Sequence, residues 1–428
     1  MFALFLDPLY RAPILGSCLI CYAAALMGVC IFLQKRALVS EVISHAAYPG
    51  MIIGALVAGV FSSDHWIYLF TGAFLSSLFA AMFLQWLEKK QVSTDAAMTA
   101  TLSAFFAVGL LFASYLQKMR PTLLVEVQKC LFGEVVTILD EHLLLYAVMS
   151  VCITAFVYLF YRRLQIHLFD PVYMQVSGIR GRLVTRLSIV CLVFSVVIGV
   201  RACGVILLSA MLIAPASAAR VFSKSLSSMF VLAGFFGLAS AGMGNAFVLF
   251  LSRENGLVEP VFLPTGPSIV LSALVLVIAS YVFSPRKGFV MKIIRKAAFQ
   301  LRSTQENIVK AIHKKQQGFS DLYQTESIPY LPLWISLWYL QREGLLCKKS
   351  GLYELTKEGS RKALRLIRFH RLWEVYLTKY MHMPSKHVHV SAEEMEHIIT
   401  PEMALRLDAL LESPEMDPHE KPIPGRFA

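Results

Sequence analysis

The sequence predicts a mostly α-helical protein, with a membrane domain of about nine spans followed by a winged helix and a further helical region. The 428 residues are 57% hydrophobic and their mean hydropathy is +0.61, which is above the range of ordinary soluble proteins. Charge is unevenly divided, because 29 of the first 284 residues are charged against 39 of the last 144. This composition indicates a membrane part, 1–284, and a soluble part, 285–428, and it excludes a wholly disordered, collagenous or coiled-coil chain.

The membrane part contains apolar runs near the length of about 20 residues that a helix needs to cross a bilayer. The predicted spans are 13–34, 42–62, 66–87, 96–117, 142–160, 184–200, 203–221, 228–251 and 266–284. The sixth and seventh spans are separated only by Arg201 and Ala202. Loops on one side of the membrane then carry eleven Lys and Arg, and the segments on the other side carry six. This asymmetry predicts that the amino terminus lies outside and the C-terminal domain in the cytoplasm.

One polar residue stands out inside a predicted span. His45 lies close to Pro49-Gly50 near the start of the second span. Ionisable residues within membranes usually face a pathway or a partner, and broken helices usually line cavities. His45 is therefore a candidate for the transport pathway, and a packed histidine at a kink is the alternative.

No G-x-x-x-x-G-K-[ST] motif occurs in the chain, so active transport would need ATP hydrolysis by a partner. The chain also shows no catalytic constellation, and we predict that it is not an enzyme. The longest inner loop, about 161–186, is polar and basic and contains turn-forming residues. The candidate contact residues in this loop are Phe169, Asp170, Pro171 and Gly178. From composition alone this loop is either a solvated connector or a docking element.

Several motifs appear in order along the first part: SEVISHAAYPG, STDAAMTATLSAFFAVGLLF, CLFGEVV, FDPVYMQVSGI, GVILLSAMLIAPASAAR and LPTGPSIVL. Together they resemble the permease subunits of bacterial ATP-driven importers for manganese, zinc and iron, over nearly all of 10–284. The resemblance implies a multi-pass protein of the bacterial inner membrane. It implies as partners a second permease copy or paralogue, a separate ATPase that docks on the inner loop, an extracytoplasmic metal-binding protein and membrane lipid.

The soluble part begins with a basic linker, 285–303, which is predicted either to lie on anionic lipid headgroups or to continue as a helix. Helices are then predicted over 304–315, 319–326 and 329–342, followed by a two-stranded hairpin around Ser350-Gly351. Three helices and a hairpin predict a winged helix over 304–356. A long helix, about 357–380, opens the last region, 357–428.

Two spacings in this last region favour metal ligation. His370 and Glu374 are four residues apart and share one helix face. Glu393, Glu396 and His397 share a face if their segment is helical, and His389 lies just before them. Two imidazoles and two carboxylates on adjacent helices can surround a divalent ion such as Mn²⁺, Fe²⁺ or Zn²⁺. Solvated helix faces are the alternative reading of the same spacings.

The segments LTKEGSRKALRLIRFHRLWEVYL, HVHVSAEEMEHIITPEMALRLDALL and MDPHEKPIP resemble the iron- and manganese-dependent repressors of the diphtheria-toxin-repressor type. The resemblance implies a metal-sensing dimerisation region, with Fe²⁺ or Mn²⁺ as co-repressor and a DNA operator as partner. It places metal ligands at His370, Glu374, His389, Glu393, Glu396 and His397. Where the family has a further ligand on the first helix, it places Asn307, with Glu306 beside it.

The presumed recognition helix, 331–342, offers few side chains that read bases. The candidates for DNA contact are Ser336, Gln341 and Arg342 on this helix and Lys348 and Lys349 in the wing. Its Trp and Tyr residues are expected in the core or on an apolar face for another partner.

The sequence therefore predicts a metal-importer permease fused to a metal-dependent winged-helix repressor. The main alternative is a permease whose cytoplasmic domain senses metal and gates transport without binding DNA. Because exposed polar linkers attract proteases, we also expect cleavage between about 285 and 305, which would release a soluble C-terminal fragment.

Overall fold

The structure is a computed structural model of the whole chain, and it divides into two compact units, Met1–Met291 and Lys292–Ala428. The residues that the structure describes are 8–61, 65–132, 138–176, 181–254, 265–285, 288–315, 317–325, 329–349, 351–384, 388, 392–393 and 395–425.

The first unit is built from helices throughout its described residues. They are α1 (Pro8–Leu33), α2 (Val39–Phe61), α3 (His65–Lys89), α4 (Thr94–Met119), α5 (Pro121–Phe132), α6 (Asp140–Leu159), α7 (Tyr161–Phe169), α8 (Pro171–Val176), α9 (Gly181–Phe222), α10 (Leu226–Glu254) and α11 (Thr265–Phe283). Over the described part of the chain, nine segments are long and apolar enough to cross a membrane, and each coincides with a predicted span. Helix α1 lies in the core of this unit and is buried over most of its length.

The pair of spans with the shortest separation lies within α9. Gly204 has φ of 76° and ψ of 167°, so the backbone leaves the helical conformation there. Positive φ at this point suits glycine, which has no Cβ to clash. The break divides α9 into the spans Leu183–Val200 and Cys203–Phe222, as the sequence predicted.

Helices α2 and α3 pack closely around the Pro49-Gly50 step. A Cβ on Gly50 would lie 2.1 Å from the carbonyl oxygen of Gly72, so small residues set the distance between the two backbones. Nearby, Ser76 Oγ donates a hydrogen bond of 2.7 Å to the carbonyl oxygen of Ala46. Helix α2 nevertheless continues through Pro49 without interruption. The expectation that Pro-Gly breaks this helix is wrong, since α2 runs from Val39 to Phe61 and contains both residues.

The second unit contains the predicted elements of a winged helix in the predicted order, together with a short strand, Gln317–Gly318, that was not predicted. They are α12 (Phe289–Lys314), β1 (Gln317–Gly318), α13 (Phe319–Thr325), α14 (Tyr330–Arg342), β2 (Leu346–Lys349) and β3 (Leu352–Leu355). The strands pair antiparallel in the order β1-β3-β2, with Leu346 opposite Leu355 in the wing. Leu322, Leu333, Leu337 and Leu340 lie in the core below the sheet.

The predicted linker is helical in its larger part. The structure shows a helix from Phe289 onwards, and contact of its basic side chains with lipid headgroups stays a prediction. Its first half is largely exposed, and burial begins at Gln305. A helix of this composition presents its basic side chains to solvent before it enters the core of the winged helix.

The last region consists of α15 (Lys357–Lys379), a segment that includes Glu396, and α16 (Pro401–Leu410). Thr356 caps α15 by accepting a hydrogen bond from Gly359 N at 3.1 Å. Two ion pairs fasten the end of the chain to this helix: Arg368 Nη2 lies 2.6 Å from Asp408 Oδ1, and Arg371 Nε lies 3.4 Å from Asp417 Oδ2.

Candidate metal centre

Three elements bring titratable side chains together in the second unit. Helix α15 contributes His370 and Glu374 one turn apart, the turn after Met395 contributes Glu396 and His397, and α12 contributes Glu306. All five side chains are buried. Such groups are rarely buried unless they are paired or bind a metal.

His370 is the most constrained of these groups. Its Nδ1 lies 2.7 Å from Glu396 Oε2, and its Nε2 lies 3.2 Å from Glu374 Oε1. Burial lowers the pKa of His370, but the hydrogen bonds to Glu374 and Glu396 outweigh burial and raise it to about 9. The imidazole is therefore protonated near neutral pH and donates from both ring nitrogens. His419 Nε2 approaches the same Glu374 oxygen at 4.0 Å.

His397 links the sensing region to the first helix of the winged helix. Its Nδ1 donates to Glu306 Oε2 at 2.6 Å, and its Nε2 lies 3.7 Å from Glu396 Oε1. The second oxygen of Glu306 accepts from Arg302 Nε at 3.1 Å. The sequence resemblance placed Asn307 at this position, and the structure brings Glu306 there instead. The buried Asn307 Oδ1 has no hydrogen-bond partner among the described residues.

Lys310 completes the charge arrangement. Its Nζ is ion-paired with Glu396 Oε1, and the two side chains are 14% and 0% exposed. Burial raises the pKa of Glu396, but the hydrogen bond from His370 and the positive charge of Lys310 outweigh burial, so this pKa is lowered. Glu396 is therefore a carboxylate held between an imidazolium and an ammonium group.

The predicted ligand set divides into three groups. His370, Glu374, Glu396 and His397 are brought together, whereas Glu393 is exposed and His389 lies outside the described residues. In the described part of the chain, no three His, Cys, Asp or Glu side chains converge as ligands of one ion. The imidazoles are instead hydrogen-bonded to the carboxylates. Imidazole nitrogens and carboxylate oxygens are suitable ligands for Mn²⁺, Fe²⁺ or Zn²⁺. They can bind such an ion once the protons that they share in hydrogen bonds have been released.

The predicted docking loop forms two short helices. Asp170 lies between α7 and α8, and its Oδ1 accepts a 2.8 Å hydrogen bond from Tyr173 N. Leu164 and Met174 are buried and fix the two helices, whereas Phe169 and Val176 are 62% and 82% exposed. Pro171 is the first residue of α8, and Gly178 lies outside the described residues. An apolar surface on a short, anchored helix suits a partner protein.

His45 is half-buried on α2, and its ring packs edge-on against Phe106 with 5.3 Å between ring centroids. Glu41 lies one turn earlier on the same face of this helix. This packing does not decide between a pathway residue and a packed histidine, so the role of His45 remains a prediction.

The candidate DNA contacts are only partly accessible. Ser336 is 0% exposed and faces the core, so the prediction that it contacts DNA is wrong. Gln341 and Arg342 are exposed at the end of α14, and Lys348 and Lys349 are exposed in the wing.

The aromatic residues of α14 are not in the core, which was one of the two expectations for them. Trp334 and Trp338 are 54% and 50% exposed, and the Arg342 guanidinium lies 5.4 Å from the Trp338 ring centroid. The structure therefore supports the expectation of an exposed apolar face.

Comparison with known proteins shows the family of the first unit. The model of the ABC 3 transport family matches residues 7–284. The chain belongs to the ABC 3 transport family. A second family model, the iron dependent repressor metal binding and dimerisation domain, matches residues 356–425. This ABC 3 chain thus joins a metal-transport permease domain to a repressor-type domain, and it is a multi-pass protein of the bacterial inner membrane.

Relatives of this ABC 3 chain match it over different shares of its length. It is 34% identical to a probable metal transport system membrane protein of Chlamydia pneumoniae over 99% of this chain and 98% of the relative. It is 28% identical to the manganese transport system membrane protein MntC of Bacillus subtilis over 86% of this chain and 84% of the relative. The structure of PsaBC from Streptococcus pneumoniae in complex with Fab matches with a TM-score of 0.55 and 25% identity, over 67% of this chain and 98% of that one.

Proposed function

We propose that this chain is the permease subunit of an ATP-driven importer for Fe²⁺, Mn²⁺ or Zn²⁺, and that its second unit is a metal-dependent DNA-binding repressor. The buried cluster of His370, Glu374, Glu396 and His397 carries the sensing part of the proposal. The metal named for the Bacillus subtilis relative and the iron of the matched family model support a divalent transition metal as co-repressor.

The metal would be held by imidazole nitrogens and carboxylate oxygens of this cluster, and Glu306 would be the ligand from α12. Glu393 and His389 stay further predicted ligands of the same ion. A bound divalent ion would replace the proton that His370 shares with Glu374 and Glu396. It would also connect α12, the first helix of the winged helix, to the turn that carries Glu396 and His397.

The permease proposal includes its partners. A separate ATPase subunit would dock on the ends of α7 and α8, where Phe169 and Val176 are exposed and Met174 is buried. The ABC 3 family further supports a second permease copy or paralogue and an extracytoplasmic metal-binding protein. The basic loops favour a cytoplasmic second unit, and the matched dimerisation domain favours a homodimer of it.

DNA binding would rest on the wing and on the end of α14. Lys348 and Lys349 can contact phosphates, and Gln341 and Arg342 can reach base edges. The alternative is a domain that senses metal and gates transport without touching DNA. The exposed Trp334 and Trp338 favour this alternative, because their face offers little base readout.

The deciding experiment measures DNA binding of the full chain in nanodiscs, with and without Mn²⁺. A duplex from upstream of the protein's own coding region serves as probe, with scrambled DNA as competitor. The repressor proposal expects sequence-selective binding that requires Mn²⁺ and is lost in Glu396→Ala. Metal-dependent changes in uptake without selective DNA binding would replace repression by gating.

A matched test concerns the metal itself. Glu396→Ala and His397→Ala should each weaken Mn²⁺ binding at least tenfold, since loss of a direct ligand costs no less than loss of its supporting contacts. Glu402→Ala, an exposed carboxylate on α16, is the control. Wild-type affinity in both cluster variants would remove the metal assignment.

A further inference from the structure

Lys310 lies on α12 and directs its ammonium group into the cluster, where it contacts Glu396 Oε1. Lysine is among the residues least often buried, and this side chain is only 14% exposed. Lys314, one turn further along α12, is exposed instead. The burial of this one ammonium therefore needs a partner charge, and Glu396 supplies it.

Glu396 is the carboxylate that lies near both imidazoles and the Lys310 ammonium group. One oxygen accepts from His370 Nδ1 at 2.7 Å, and the other lies 3.7 Å from His397 Nε2. The Lys310 ammonium group contacts this second oxygen, Glu396 Oε1. A cation bound jointly by Glu396 and His397 would have to approach the same oxygen.

We propose that Lys310 is a built-in cation of this site: its ammonium holds α12 against Glu396 when no metal is bound, and an incoming divalent ion must displace it. This inference rests on the proposed metal-sensing function. It adds that Lys310 sets the metal concentration at which the site becomes occupied. In the metal-free protein, Lys310 maintains the link between the winged helix and the sensing turn. In the metal-bound protein, the ion takes over the carboxylate and the lysine moves away on its flexible stem.

The charges of the cluster support this exchange. Glu306, Glu374 and Glu396 bring three carboxylates, and Lys310 and Arg302 bring two permanent positive charges. An ammonium group next to the binding position repels a divalent ion, so the metal must be abundant enough to replace it. The affinity of the site is therefore lowered by Lys310 relative to the same cluster without this charge.

The test titrates Mn²⁺ into the full chain purified in detergent and follows free Mn²⁺ by electron paramagnetic resonance. Binding that disappears in Glu396→Ala is assigned to the cluster. Lys310→Gln keeps a hydrogen-bond donor for Glu396 but removes the charge, and should bind Mn²⁺ at least tenfold more tightly than wild type. Lys310→Arg keeps the charge and should retain wild-type affinity, as should Lys314→Gln on the exposed part of α12.

Thermal unfolding gives a second readout. Without metal, Lys310→Gln should lower the midpoint of the second unit, because buried Glu396 loses its counter-charge, and saturating Mn²⁺ should restore it. A purely structural lysine would lower the midpoint without tightening metal binding.

The outcomes separate this inference from the proposed function. If Lys310→Gln binds Mn²⁺ no more tightly than wild type while Glu396→Ala still abolishes binding, the built-in cation is refuted and the metal site stands. If neither wild type nor any Lys310 variant shows binding that depends on Glu396, the metal site and the built-in cation are both refuted.

Discussion

The affinity of the second unit for metal should rise steeply with pH, because His370 carries a proton that a metal ion must remove. The pKa of this imidazole is raised to about 9 from an ordinary value of 6.5. At pH 6.5 the group is almost fully protonated, and the unprotonated fraction grows close to tenfold with each pH unit up to pH 8. One such proton predicts that Mn²⁺ affinity increases about 30-fold between pH 6.5 and pH 8.

The metal-free protein should show the opposite dependence. A folded-state pKa above the unfolded value adds stability that is fully present below pH 6.5 and is lost as pH rises towards 9. The difference corresponds to roughly 3 kcal/mol of unfolding free energy for the second unit. Raising the pH thus destabilises the metal-free cluster while it favours the metal-bound one.

Two measurements check this linkage on the full chain. Mn²⁺ titrations at pH 6.5, 7.2 and 8.0 give the slope of affinity against pH, and calorimetry in buffers of different ionisation enthalpy gives the number of protons released. About one proton per Mn²⁺ should leave at pH 7. His370→Gln should bind weakly and without this slope, whereas His313→Gln, exposed near the end of α12, should keep it. A flat affinity profile together with no proton release would refute the assignment of the His370 proton.

Three further predictions concern the permease and the linker. His45→Ala should reduce metal uptake at equal membrane abundance, and undiminished uptake would show that His45 only packs against Phe106. Gly50→Ala should lower the amount of folded, inserted protein, measured by fluorescence-detected size exclusion, because its Cβ would lie 2.1 Å from a carbonyl oxygen of α3; Gly242→Ala, with nothing within 4 Å, should not. An antibody to the C-terminus should detect a soluble fragment of roughly 14–16 kDa, on about 110 Da per residue, and the appearance of only the 47.9 kDa membrane form under metal-rich and metal-starved growth would exclude release.

The membrane spans and the winged helix were predictable because their signals are local. Each span is a continuous apolar run, and the break at Gly204 lies close to Arg201, the charged residue between two such runs. The wing was predictable from two short strands around Ser350-Gly351. These features depend on residues close together in sequence, where periodicity and turn chemistry decide the structure.

The metal cluster was predictable only in its short-range pairs. His370 with Glu374 and Glu396 with His397 follow from spacing, and the structure brings both pairs together. Glu306 and Lys310 are 91 and 86 residues from the groups they contact, so no local spacing indicates them. Ser336 was misassigned because its helix is apolar on two faces, and periodicity alone did not show which face is buried.

Helix α12 connects the predictions about the linker with those about the site. It begins at Phe289, its exposed basic half ends near Thr304, and its buried half supplies Glu306 and Lys310. A protease that cuts before Phe289 would leave this helix whole, and the released fragment would keep every contact of the cluster. A cut inside the helix after Glu306 would remove the carboxylate that His397 binds and would leave the winged helix without its first helix.

Release of a working repressor is therefore compatible with cleavage between α11 and α12 or in the exposed turns of α12, and incompatible with cleavage beyond Gln305. The amino terminus of any natural fragment distinguishes these cases directly. A fragment that starts near residue 288 would retain Lys310 and its metal threshold, so the free domain and the membrane-bound domain would respond to the same metal concentration. A fragment that starts beyond Glu306 would have lost that response, and cleavage would then end sensing instead of starting repression.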